Sequence, residues 1–190
     1  MATTVLGIDP GTRKMGYGVI QVVGNNDFIY VGSGCIHCNE SRIQDRLLTI
    51  MKAIETLLEQ FSPDEMAIEE VFVSLNPQST IKLAESRAVA MVVGARAGLD
   101  VYEYTPMQIK QAVACTGGAD KKQVQAMVRR LLYLNSDPQI DASDALACAL
   151  CHAYTRRIRS VMGPGATIAT SSRGRGRPGP RSSWRNYQPS

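Results

Sequence analysis

The hydrophobic period of this chain changes at Ile43, and that change limits the folds open to it. Before it, short apolar segments alternate with turn chemistry. Val5 to Ile8 ends at Asp9-Pro10-Gly11, Met15 to Val23 reads as a second strand and Phe28 to Ser33 as a third, the last two joined by Gly24-Asn25-Asn26-Asp27. This is an antiparallel meander. From Ile43 the apolar residues Leu47, Leu48, Ile50, Met51, Ile54, Leu57, Leu58 and Phe61 follow a repeat of about 3.6 residues and stop before Pro63, which predicts an amphipathic helix.

Beyond that helix the two periods alternate. Met66 to Phe72 reads as a strand, Ser79 to Ala97 as a helix ending near Gly98, and Val101 to Tyr104 as a strand. Thr105-Pro106-Met107-Gln108 offers an N-cap, a first-turn proline and a capping-box glutamine. Further helices are expected over about Lys110 to Cys115, Lys121 to Leu132 and Asp141 to Arg159. The order βββαβαβ followed by helices predicts an α/β domain, a mixed sheet with helices packed on it. A single folded domain is expected over residues 1–162. Past Met162 the composition turns to Gly, Ser, Pro and Arg, too poor in apolar area to offset ordering entropy, so Gly163 to Ser190 reads as a disordered basic tail.

The formal net charge of +4 conceals an asymmetry: all 17 acidic residues lie at or before Asp144, whereas eight of the 21 basic ones lie beyond it. A basic tail suits a polyanion, and it equally suits a solubilising role. The acidic body can face nucleic acid only if its carboxylates surround cations or point away. No uncharged apolar run approaches the roughly 18 residues of a membrane span and no leader pattern opens the chain, so a cytoplasmic protein is expected. Cys35-x-x-Cys38 and Cys148-x-x-Cys151-His152 have the spacing of zinc or haem strings, but the pairs are over 100 residues apart and the second lies in an Ala/Leu-rich helical stretch. Packing cysteines are the expectation.

Four acidic residues stand out. Asp9 ends an apolar strand. Glu69 lies within Met66-Ala-Ile-Glu-Glu-Val-Phe72, apolar on both sides of the acidic pair, and alternation puts Glu69 and Glu70 on opposite faces, so only one can join Asp9. Asp141 and Asp144 sit i, i+3 at a helix start, on one face. That pair alone could equally be a helix cap and a dipole-complementing acid. As a group, clustered carboxylates repel one another unless cations neutralise them, and oxygen-only ligands fit Mg²⁺ or Mn²⁺. Two such ions about 4 Å apart can activate a water and stabilise the leaving oxygen at a phosphodiester.

Leu6-Gly-Ile-Asp-Pro-Gly-Thr-Arg13 with Gly16-Tyr-Gly18, then Ala67-Ile-Glu-Glu-Val-Phe72, Gln123-Val124 and Asp141-Ala-Ser-Asp-Ala-Leu-Ala147 resemble, in order from about Val5 to Tyr154, the RuvC family of Holliday junction resolvases. The resemblance implies a ribonuclease H-like fold, a five-stranded mixed sheet with helices on both faces. It implies an Mg²⁺-dependent endodeoxyribonuclease, with two ions per site held by the catalytic residues Asp9, Glu69, Asp141 and Asp144, and Mn²⁺ able to substitute. It implies a homodimer that resolves four-way junction DNA by paired symmetric nicks in recombination and repair, working with the branch-migration proteins RuvA and RuvB. Phe72 matches an aromatic that stacks on unpaired bases, and Lys110 and Lys121 match basic positions near the scissile phosphate. Arg87 is a candidate for a further phosphate contact.

Three other readings compete. Gly7-Ile-Asp9-Pro-Gly11 also resembles a phosphate loop of actin-like ATPases, but that fold needs a second domain that 190 residues do not supply. A nuclease on structured RNA would share the fold; the contexts of Glu69 to Phe72 and of Asp141 to Asp144 favour the resolvase. A binding-only junction scaffold would be expected to have lost at least one acid, and all four are present.

Overall fold

The helix that opens at Ile43 separates a meander from a set of parallel crossovers. The computed structural model describes residues 2–24, 27–72 and 76–162, without the side chains of 159–162. Strands β1 (Thr3–Asp9), β2 (Lys14–Val22) and β3 (Phe28–His37) form the meander, and α1 (Ile43–Phe61) follows. Ser62 closes α1 in the left-handed region at φ 43°, its N–H donating to the Leu58 carbonyl at 3.0 Å. Then come β4 (Glu65–Glu69), α2 (Pro77–Arg96), β5 (Asp100–Tyr104), α3 (Pro106–Ala114), α4 (Lys121–Leu131) and α5 (Ile140–Met162).

The sheet runs β3-β2-β1-β4-β5. β1 pairs antiparallel with β2, as β2 does with β3, while β1–β4 and β4–β5 are parallel. β1 is thus central, with its C-terminal end beside that of β4. Alternation along β1 divides the core: Leu6 and Ile8 join Ile50 and Ile54 of α1 and Ala90 and Val93 of α2 on one face. Val5 joins Val113 of α3, Val128 of α4 and Leu146 and Leu150 of α5 on the other. Helices therefore cover both faces, as expected.

Several boundaries move, each for a physical reason. β3 extends past Ser33 to His37 because β2 supplies partners as far as Lys14, and Ile36 is buried in the α1/α2 core. β4 stops at Glu69 rather than Phe72: its β5 ladder ends at the Glu69–Tyr104 pair, and Phe72 is left 59% exposed. α3 begins at Pro106, directly after its cap, where Thr105 and Gln108 form a reciprocal capping box. Asn25 and Asn26 of the expected turn, and the basic tail Gly163 to Ser190, lie outside the described residues.

Three of the cysteines are packing residues, whereas Cys35 is half-buried and Cys115 exposed. All five are free; Cys38 is buried on the α1/α2 face and Cys148 and Cys151 on the α5 face, so the two strings cannot share a metal. His152 is buried as well, its Nδ1 2.7 Å from the Tyr104 hydroxyl and its Nε2 2.7 Å from Glu65 Oε2. Arg156 donates to the other Glu65 oxygen at 3.0 Å. Side chains on β4, β5 and α5 are thus tied together beneath the site. Among the described residues no helix is long and apolar enough to cross a membrane.

Candidate active site

Asp9 is the last residue of β1 and Glu69 the last of β4. The parallel register pairs Ile8 with Ile68, so the two acids stand next along the same strands. Asp9 is two residues beyond Gly7, and Glu69 two beyond Ala67, which packs in the α5 core, so both carboxylates point toward α5. Glu70 continues on the opposite side, its N–H donating to the Tyr104 carbonyl. The choice of Glu69 over its neighbour follows from this alternation.

α5 reaches these strand ends because β1 and β2 present glycines to it. A Cβ on Gly7 would lie 2.2 Å from the Ala145 carbonyl oxygen, and one on Gly16 would lie 2.0 Å from that of Asp141. Gly16 is the register partner of Asp9. Removing the side chains here lets the first two turns of α5 lie directly on the sheet, carrying Asp141 and Asp144 with them. α5 begins at Ile140, one residue ahead of Asp141. Asp141 is consequently inside the first turn, and its alternative reading as the N-cap falls.

Asp9, Glu69 and Asp144 line one cavity of about 190 Å³ together with Pro106, Ile109, Lys110, Lys121 and Val124. Asp141 stands one turn earlier and does not line it. Burial, reinforced by repulsion from Glu69, Asp144 and Asp141, pushes the Asp9 carboxyl up to about 8. Burial and then Asp144 push Glu69 up to about 7, with Lys121 and Lys110 opposing. The α5 acids are charge-compensated: Lys14 Nζ lies 2.6 Å from Asp141 Oδ2, and Lys121 Nζ lies 2.6 Å from Asp144 Oδ2. Among the described residues no three His, Cys, Asp or Glu side chains close into a metal cage by themselves. The donor set is nevertheless entirely oxygen, concentrated and under-neutralised, which is the chemistry a hard divalent cation relieves.

The flanking residues are placed unequally. Lys110 on α3 and Lys121 at the start of α4 both reach the cavity. Asp120 caps α4, and Gln123 completes the reciprocal box, which accounts for the glutamine of the Gln123-Val124 motif. Phe72 is exposed three residues beyond Glu69. Arg87 is not brought to the site: its guanidinium pairs with Glu103, between Tyr102 and Tyr104, whose side chains face α5, and alternation turns Glu103 to the opposite face. Arg87, its side chain 19% exposed, is held in an ion pair with the more exposed Glu103 and does not line the cavity. Lys14 is the residue that sequence reasoning missed. Its signal was its position near the β2 end that lies beside Asp9, legible only with the register in hand.

A central β1 and β4 carrying paired acids, with a C-terminal helix laid across them, define a nuclease core of the ribonuclease H type. The sequence matches the family described as crossover junction endodeoxyribonuclease RuvC over residues 5–152. Relatives of that description are 48% identical over 173 residues in Pseudomonas fluorescens Pf-5 (91% of this chain, 98% of the relative). Another in Chromohalobacter salexigens is 48% identical over 189 residues, covering 100% of this chain and 97% of the relative. Among solved structures, Thermus thermophilus RuvC in complex with a Holliday junction substrate superposes with a TM-score of 0.77 at 34% identity, over 82% of this chain and 96% of that one. The yeast mitochondrial Holliday junction resolvase Ydc2, at 12% identity and a TM-score of 0.60 over 83% of this chain and 82% of that one, shares the fold. This chain belongs to the RuvC family of crossover junction endodeoxyribonucleases.

Proposed function

We propose that this chain is an Mg²⁺-dependent endodeoxyribonuclease that resolves four-way DNA junctions by paired, symmetric nicks. The observation that carries the reading is the convergence of Asp9, Glu69 and Asp144 on one lysine-flanked cavity, in a chain whose relatives are crossover junction endodeoxyribonucleases. Asp9, Glu69, Asp141 and Asp144 would hold two Mg²⁺ ions, with Mn²⁺ able to substitute. Bound there, the metal supplies Lewis-acid activation of a water and neutralises charge at the leaving oxygen.

The protein's own residues do the rest. Lys110 and Lys121 on the cavity wall offer cations to the scissile phosphate. Phe72, exposed beside the β4 end, offers a ring to unpaired bases at the junction centre. Gly7 and Gly16 hold α5 close enough to keep its acids over Asp9. A homodimer would match the junction's two-fold symmetry with two such sites, and RuvA and RuvB are the expected partners in the cytoplasm. Residues 1–162 form the nuclease domain, and the Arg/Gly/Ser-rich residues 163–190 follow it as a basic tail.

The test is incubation of purified protein with a synthetic four-way DNA junction and Mg²⁺, read for nicks at symmetric positions. Asp9→Asn should abolish cutting while junction binding is kept or tightened, since a negative charge near the phosphates is removed. Failure to cut, or an Asp9→Asn variant as active as the parent, refutes the reading. Cleavage of a four-way RNA alone would move the substrate to structured RNA, and binding without cutting would leave a scaffold.

A further inference from the structure

Lys14 is a cation at the site that the proposed chemistry leaves without a task. It opens β2, two positions before the glycine that pairs with Asp9. Lys14 and Lys121 reach α5 from different elements, one from the sheet and one from α4, and each ends on a different α5 acid. Asp9 and Glu69 make no ion pair of this kind among the described residues. Both lysine pairs are partly exposed, where ion pairs are weak and exchange readily. A divalent cation at the same oxygens brings twice the charge at a distance of about 2.0–2.1 Å, closer than an ammonium can come.

We propose that Lys14 is the counterion a divalent cation displaces from Asp141, and that the released ammonium then binds a DNA backbone phosphate at the edge of the site. The inference rests on the reading of Asp141 as a metal-binding residue. Before metal enters, Lys14 masks one of the four negative charges and lowers the repulsion across the cluster. Once metal neutralises Asp141, the ammonium is unpaired on the edge of a site already flanked by Lys110 and Lys121, and an anion is its natural partner. The flexible four-carbon stem lets the charge move without backbone change. Metal loading and phosphate capture are thereby coupled through one side chain.

Two measurements on the full chain test this. Without DNA, Mn²⁺ binding followed by the electron paramagnetic resonance signal of the free ion should be about two- to five-fold tighter in Lys14→Met, matching the strength of an exposed pair. Lys14→Arg should bind as the parent does. Arg13→Gln removes a neighbouring charge that forms no ion pair among the described residues, and should change Mn²⁺ affinity less than Lys14→Met. In the second measurement, the salt dependence of four-way junction binding should lose about one unit of slope in Lys14→Met with Ca²⁺ present, and none with chelator.

Unchanged Mn²⁺ affinity in Lys14→Met overturns the proposal, as does equal tightening in Arg13→Gln or a slope loss independent of Ca²⁺. Asp141→Asn in the same titration separates the two readings. If it weakens Mn²⁺ binding while Lys14→Met has no effect, only the Lys14 inference falls. If it too leaves Mn²⁺ binding unchanged, the metal reading of Asp141 falls and takes the inference with it.

Discussion

Asp9 should make the metal-free protein less stable as pH rises, and Asp9→Asn should remove that penalty. Its carboxyl is pushed from an ordinary value of 3.8 up to about 8 by burial and neighbouring acids. A carboxyl with a raised folded pKa costs nothing below its unfolded value, costs progressively more as pH climbs between the two, and reaches its full penalty above the folded value. At about 1.4 kcal/mol per pKa unit, the cost grows by roughly 4 kcal/mol between pH 5 and pH 8. Asp9→Asn abolishes the titration while keeping the shape. In chelator, its melting temperature should therefore exceed the parent's by roughly 8–16 °C more at pH 8 than at pH 5, taking about 2–4 °C per kcal/mol for a chain of this size. Mg²⁺ should narrow the gap at pH 8 by stabilising the parent selectively. The assay is thermal unfolding by circular dichroism at both pH values. A gap independent of pH, or an Asp9→Asn variant less stable than the parent at pH 8, would refute the reasoning.

Other perturbations separate packing from chemistry. Gly16→Ala places a Cβ against the Asp141 carbonyl, so α5 must shift; stability should fall by about 1–3 kcal/mol and cleavage by roughly 100-fold if the acids move by about 1 Å, measured by urea melts and single-turnover cutting. Phe72→Ala should leave the melting temperature unchanged because the ring is exposed, while cleavage drops on the order of 10- to 100-fold through lost base stacking of about 1–3 kcal/mol; a large loss of stability would instead make it a packing residue. Deleting Gly163 to Ser190 should flatten the salt dependence of DNA binding if the basic tail contacts phosphates, and an unchanged slope would leave it a solubilising segment.

The sheet and its acids were legible because they depend on local pattern. Period and turn chemistry located every strand and helix of the described residues, and alternation within Met66 to Phe72 meant that only one of Glu69 and Glu70 could join Asp9. Where boundaries slipped, the deciding partner was remote. β4 ends where β5 stops pairing, and β3 continues because β2 does. The ion pair of Arg87 was hidden for the same reason: its partner, Glu103, is 16 residues away on another element. Lys14 finds Asp141 only once α5 has crossed the sheet, and no local spacing encodes that contact. His152, part of a string that suggested metal or haem, proved to be a buried bridge between Tyr104 and Glu65.

The acids of this cluster come from β1, β4 and α5, so their order along the chain is also an order of synthesis. A chain leaving the ribosome completes Asp9 and Glu69 well before Asp141 exists. At about 5–20 residues per second the interval lasts several seconds. During it the two early carboxylates have neither the helix that covers them nor the companions that complete the cluster. The complete cluster thus forms only when the last described helix has docked, so its assembly reports that β1, β4 and α5 have come together.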